Sequence, residues 1–136
     1  MKRALPFQPV PGDIVFCKFP EALEATCPGP KIRPALVVDV SKDGNRVYVA
    51  YGTSQRTEQL FPGEFRVDEA EAMQMAGLCK PTKFALCRKH WLALNEEWFV
   101  VPHKRRFGLC PKMGELSESL APHMARAVET MLAAKF

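Results

Sequence analysis

The sequence predicts a small, mainly antiparallel β barrel with helices appended, and three observations carry that expectation. Short runs rich in β-branched and aromatic residues recur along the chain, each bounded by turn chemistry. Helical periodicity is confined to one short stretch after the fourth such run and one at the C-terminal end. No strand-helix-strand alternation of the kind that builds a parallel sheet is present. At 136 residues the chain is read as one domain over 1–136. That length buries roughly two thirds of the surface an unfolded chain exposes.

The elements follow in order. DIVFCKF (13–19) is the first predicted strand. RPALVVDV (33–40) is the second, reached through a long, stiff loop carrying Pro28 and Pro30. Pro34 fixes its backbone and withholds an N–H, so Arg33 stands where loop becomes sheet. RVYVAYGT (46–53) is the third strand, and the intervening SKDGN supplies an Asp-Gly turn, so the two pair as an antiparallel hairpin. Val47, Val49 and Tyr51 alternate with Tyr48, Ala50 and Gly52, and both faces carry apolar surface, which suits a barrel better than an open sheet.

A polar loop leads to the short strand EFRV (64–67) and then to a helix in EAEAMQMA (69–76), with Asp68 as N-cap, Glu71 three residues on and Gly77 as C-cap. KFALCR (83–88) and EWFVV (97–101) are predicted as two further strands joined around KHWLALN. Leu120, Met124, Val128, Met131 and Leu132 share one helical face, giving a closing helix at about 119–134. Ser119 is preferred to Ser117 as its N-cap because Pro122 then falls in the first turn, where a missing N–H costs nothing.

Composition narrows the function classes. A hydrophobic fraction of 47% and a charged fraction of 25% are ordinary for a globular domain, and no apolar stretch approaches the ~20 residues a membrane span needs. Prolines interrupt the N-terminal MKRALPFQPVPGD before it can act as a secretory signal, so the expected location is the cytoplasm, with no membrane partner. The five cysteines, at positions 17, 27, 79, 87 and 110, include no C-x-x-C pair and do not make a disulfide framework. Cys79, Cys87, Cys110 and His103 lack the tight ligand pair of a structural zinc site, so neither metal nor cofactor is expected. A net charge of +4 is compatible with a nucleic-acid partner without requiring one.

In an antiparallel hairpin the start of one strand and the end of its partner lie at the same edge, so Arg33 and Thr53 are expected to be neighbours. A guanidinium presents a planar fork of donors that matches phosphate oxygens, and a Thr hydroxyl and a Gln amide can orient the same group. The competing structural reading makes Arg33 an ion-pair partner of Asp13 or Asp39, and Thr53 a hydroxyl bonded to its own turn. The basic runs CRKH (87–90) and HKRRF (103–107) read equally as solvated surface or as an RNA path. Trp91, Trp98 and Phe99 read as core or dimer packing.

PGDIVFCKFP, then PGPKIRPALVV, then VAYGTSQ resembles, in that order over residues 12–55, the PemK/MazF family of toxin endoribonucleases. AGLCKPTKFALCR resembles the family's later strand. The resemblance implies an SH3-like barrel, a homodimer, metal-independent cleavage of single-stranded RNA by attack of the ribose 2′-OH on its phosphodiester, and inhibition by a cognate antitoxin protein. By motif position it implies Arg33 and Thr53 as catalytic residues, with Gln55 matching the glutamine of the same turn; Ser54, Lys31, Lys80 and Lys83 are, with Gln55, the candidates for binding substrate. Where some members carry a carboxylate, this chain has Lys80 or Thr82. Two alternatives stand beside this reading: an inactive barrel of the same fold that binds nucleic acid or protein, and a toxin directed at a gyrase.

Overall fold

The computed structural model describes residues 4–21, 27–103 and 106–134. Six strands form a single antiparallel sheet: β1 (Asp13–Cys17), β2 (Arg33–Val40), β3 (Arg46–Thr53), β4 (Glu64–Val67), β5 (Thr82–Ala93) and β6 (Lys112–Glu115). Their order across the sheet is β4-β5-β3-β2-β1-β6, curled into a half-barrel. Helix α1 (Ala70–Ala76) connects β4 to β5, and a 3-10 turn at Glu118–Leu120 leads into α2 (Ala121–Ala133). Among the described residues no helix is long and apolar enough to cross a membrane.

Alternation in the central strands divides the core into two clusters. Ile14, Leu36, Ala50, Phe65 and Phe84 pack with Ala72, Ala76, Leu120 and Ala127 of the helical segments. Val15, Cys17, Val37, Val47, Val49 and Leu92 pack on the other side with Trp98 and Phe99. Both faces of the sheet are therefore covered, as the apolar character of both sides of β3 predicts. Burial pushes the Cys17 thiol far above its usual range, which leaves it chemically inert.

Several boundaries differ from the sequence reading for definite reasons. β5 does not stop at residue 88 but runs to Ala93, because the full edge of β3 is available to it. EWFVV is not a strand: Trp98 and Phe99 are buried in a turn, and the one sheet contact there is an isolated bridge from Phe99 to Cys17. The place beside β1 is taken by β6, a four-residue strand with too little apolar pattern to be recognised from sequence. Glu69, not Asp68, occupies the N-cap of α1 and makes no side-chain cap, whereas Gly77 ends that helix in the left-handed conformation, φ 73°, as expected. Ser119 does not cap α2; the hydroxyl of Ser117 accepts the Ser119 N–H to start the 3-10 turn, Leu120 becomes the N-cap, and Pro122 still falls in the first turn.

Asp13 ties the edge together. One of its carboxylate oxygens accepts the Val10 N–H at 2.9 Å, and the other lies 3.2 Å from the Lys112 ammonium on β6. Lys112 also reaches Glu115 at 3.3 Å. Burial alone pushes the Lys112 pKa down, but its bonds and charge interactions with Asp13 and Glu115 outweigh that and leave it above the ordinary lysine value of 10.5. Lys112→Met therefore leaves the buried Asp13 carboxylate without its cation. It should lower the unfolding free energy by about 1–3 kcal/mol at neutral pH, less than a fully buried pair because the lysine side chain retains some exposure. Since a raised lysine pKa contributes stability below its unfolded value, the difference between the two proteins should be constant from pH 7 to 9. It should shrink only above about pH 10, as urea titrations across that range would show.

Candidate functional site

The β2–β3 ladder pairs Ala35 with Tyr51 and Leu36 with Ala50, and the same register continued outward brings Arg33 level with Thr53. Both residues line one open cavity of about 310 Å³, together with Ser54, Lys80 and Thr82 and the apolar Phe16, Leu78 and Met113. The Thr53 hydroxyl oxygen accepts the Gln55 N–H at 3.1 Å, which fixes the side chain and leaves its proton available to a ligand. Arg33 is half-buried, with its guanidinium carbon 5.4 Å from the Tyr51 ring centroid. Among the described residues it has no ion-pair partner: Asp13 is held by Lys112, and a carboxylate oxygen of Asp39 accepts the N–H of Val40.

Arg88, which the sequence analysis did not single out, lies beside this group through the Tyr51 ring, although neither it nor Tyr51 lines the cavity. The β3–β5 pairing passes from Tyr51–Ala85 to Ala50–Lys89, so Leu86, Cys87 and Arg88 are extra residues on β5 with no counterpart on β3. A bulge of this kind bends the strand and re-aims a side chain. Here the Arg88 guanidinium carbon lies 4.0 Å from the Tyr51 ring centroid and 5.5 Å from that of Phe19. Its N–H groups reach the carbonyl oxygens of Pro20 and Glu21, each at 3.4 Å. Two guanidinium groups thus share one tyrosine ring, and neither has a carboxylate partner among the described residues. The sequence showed a basic run at 87–90; only the three-residue offset in the ladder reveals which of its members turns toward Arg33.

The remaining predicted residues divide. Ser54 and Lys80 line the Arg33–Thr53 cavity. Gln55 contributes through its backbone N–H, and its side chain is exposed, as is that of Lys31; neither lines the cavity. Lys83 is not brought to the cavity. It is almost fully buried, 2.9 Å from the Glu64 carboxylate and 2.8 Å from the Gln59 carbonyl, and so braces β4 against β5. Among the described residues no carboxylate lines the cavity. Among the described residues no cluster of three or more His, Cys, Asp or Glu is arranged to hold a metal ion. Of the run at 103–107, Lys104 and Arg105 lie outside the described residues.

What the fold and the cavity define is a half-barrel that presents cations and hydroxyls at one end of its sheet. No protein-family model matches the chain, and no curated protein matches it in sequence. In structure it is similar to an endoribonuclease from a mycobacterial species solved in complex with its cognate antitoxin, at 15% identity and a TM-score of 0.56 over 92% of this chain and 95% of that one. It is also similar to another endoribonuclease structure from a mycobacterial species, at 15% identity and a TM-score of 0.55 over 93% of each chain. The shared fold therefore extends across nearly the whole of all three chains.

Unpartnered guanidinium groups gain free energy when an anion arrives. Inorganic phosphate at millimolar excess, compared with chloride at matched ionic strength, should raise the thermal midpoint of the protein by a few degrees. Arg33→Ala and Arg88→Ala should each remove most of that increment, and scanning calorimetry in the two salts reads it directly.

Proposed function

We propose that the protein is a metal-independent endoribonuclease that cuts single-stranded RNA, the toxin of a PemK/MazF-like toxin–antitoxin pair acting in the cytoplasm. One observation carries the reading: Arg33, without a carboxylate partner among the described residues, lines the same open cavity as Thr53. The architectural likeness to endoribonucleases, one of them bound to its antitoxin, supports it. A homodimer is the proposed assembly, with the exposed Val128 and Leu132 of α2 as apolar surface available to a second copy.

The chemistry follows from the residue types. The ribose 2′-oxygen attacks the adjacent phosphorus, a new O2′–P bond forms, and the P–O5′ bond breaks. The products are a 2′,3′-cyclic phosphate and a 5′-hydroxyl end, the 2′-OH proton passing to solvent and O5′ taking one up. Negative charge grows on the non-bridging oxygens during this step, and a guanidinium already in position stabilises it without reorganisation. The arginine remains charged throughout, because a guanidinium is too weak an acid to give up a proton at neutral pH. Thr53, its oxygen engaged by the Gln55 N–H, donates its own proton to the phosphate and aligns the attack. Ser54 and Lys80 hold the flanking backbone.

Because no carboxylate among the described residues lines the cavity, the second reading is a barrel that binds RNA without cutting it. Incubation with single-stranded RNA in EDTA separates the two. We expect fragments with 5′-hydroxyl ends, a loss of roughly 10²–10³-fold in rate for Arg33→Ala, and a smaller loss for Thr53→Val. Intact RNA that stays tightly bound would establish the second reading, and RNA neither bound nor cut would remove both.

A further inference from the structure

The Arg33–Thr53 cavity does not end at its own wall. A second cavity of about 460 Å³ adjoins it, and Phe16, Gly77, Leu78, Cys79 and Met113 line both. The two are therefore compartments of one groove, the first polar at its mouth, the second floored by Phe16, Leu78, Met113 and Pro102. Among the described residues neither compartment has a carboxylate in its lining, whereas two other cavities on the surface carry Glu64 and Asp68 in one and Glu96 in the other. Among the described residues His103 and Arg106, both from the basic run at 103–107, rim the second compartment, beside Gln74 of α1.

Two features fit this compartment to a planar base. Phe16 lines the Arg33–Thr53 cavity as well as the second compartment, so its ring belongs to the wall that the two share. Its backbone is pinned on both sides, the N–H to the Pro111 carbonyl at 2.9 Å and the carbonyl accepting the Val100 N–H at 3.1 Å. The ring is only partly buried, and a rigid aromatic of this kind is what an unstacked nucleobase uses as a platform. Arg106 donates one N–H to the Gln74 carbonyl at 3.2 Å, which spans the loop to α1 and leaves the rest of its fork unassigned. A rim of donors favours a base edge rich in acceptors.

Resting on the nuclease reading, we propose that this second compartment is a base-recognition subsite. It holds the nucleobase next to the cut phosphodiester, stacks it near Phe16, and selects guanine or uracil, which turn the O6 or O4 carbonyl toward Arg106, over adenine or cytosine, which carry a donor amino group at that position. The volume is that of a small-ligand pocket and accommodates a purine ring system.

The test uses the full chain, a random-sequence single-stranded RNA pool, and sequencing of the 5′-hydroxyl ends. Wild type should show a guanine or uracil preference at one position flanking the cut. Arg106→Ala, a change at an exposed residue, should lower cleavage at preferred sites by roughly 5- to 100-fold and flatten the preference. Met113→Trp, which fills the compartment, should do the same. A preference unchanged in Arg106→Ala overturns the subsite. A second arm does not depend on cleavage: Cys79 lies on the shared wall and is exposed, so short oligoribonucleotides carrying a 2′-deoxy block should protect it from N-ethylmaleimide, read by peptide mass spectrometry. Oligomers rich in guanine or uracil should protect more than adenine or cytosine oligomers, with the exposed Cys27 and Cys87 as internal references. If wild type cuts no RNA, the nuclease reading fails while this protection still decides whether the groove takes a base. Protection by an acidic peptide, and by no RNA, would assign the groove to a protein partner and overturn the proposal.

Discussion

Strand β3 is hydrogen-bonded along both edges, to β2 on one side and β5 on the other, and everything at the candidate site is positioned by those two ladders. On the β2 side, the run Ala35–Tyr51, Leu36–Ala50 and Val37–Val49, which ends where the register shifts at Val38, sets Arg33 against Thr53. On the β5 side, the three-residue offset delivers Arg88 to the Tyr51 ring. A slip of one residue in either ladder would exchange the two faces of a strand and drive its buried side chains to the wrong cluster. Val47 and Val49 belong to one core cluster and Ala50 to the other, so such a slip is resisted along the whole length of β3. The core that stabilises the sheet therefore also sets the spacing of the cations.

The treatment of charge separates structural cations from available ones. Lys83 and Lys112 are the most enclosed of the paired lysines, and each is matched to a carboxylate, Glu64 and Asp13. Burying a cation without such a partner is expensive. Arg33 and Arg88 take neither course: they are partly buried, lie against an aromatic face, and carry no carboxylate partner among the described residues. A tyrosine face compensates only partly for lost hydration, by about 0.5–2 kcal/mol per cation. Two like charges drawn to one ring repel each other, so this arrangement is less favourable than simple stability would select. Such local cost, sustained by a well-packed scaffold, is a recurrent property of sites that bind anions.

How much of this could be read from the chain depended on whether the signal was local. The β2–β3 hairpin was legible because Asp43 and Gly44 supply the turn and the apolar alternation is uninterrupted; the structure adds that the Asp43 carboxylate accepts from Ser41 and from the Asn45 N–H. Gly77 was legible as a helix stop for the same reason. β6 was not, since KMGE has neither branched residues nor alternation and becomes a strand only because β1 offers an open edge and Asp13 a carboxylate for Lys112. EWFVV misled in the opposite sense: its composition reflects burial of Trp98 and Phe99, and burial does not require a ladder. Arg33 and Thr53 followed from the hairpin geometry, whereas Arg88 depended on a bulge between distant segments and had no local signature. Lys83 looked like a free basic residue because its partner Glu64 is nineteen positions away.

The junction of α1 with β6 connects the fold to the groove. Gly77 turns the chain out of α1 with a positive φ, and a Cβ there would collide with the Met113 carbonyl. Gly114 faces the same constraint from the other strand, where a Cβ would strike the carbonyl oxygens of Met75 and Ala76. The two glycines therefore permit the end of α1 to rest directly on β6, and that close approach places Leu78 and Cys79 opposite Phe16 and Met113. These are the residues that line both compartments of the groove. Separating helix from strand by even one side-chain carbon would widen this wall and uncouple the Arg33 end from the apolar end. The groove is continuous because two backbones are allowed to touch at its centre, and the short, weakly patterned strand that escaped sequence analysis supplies one of them.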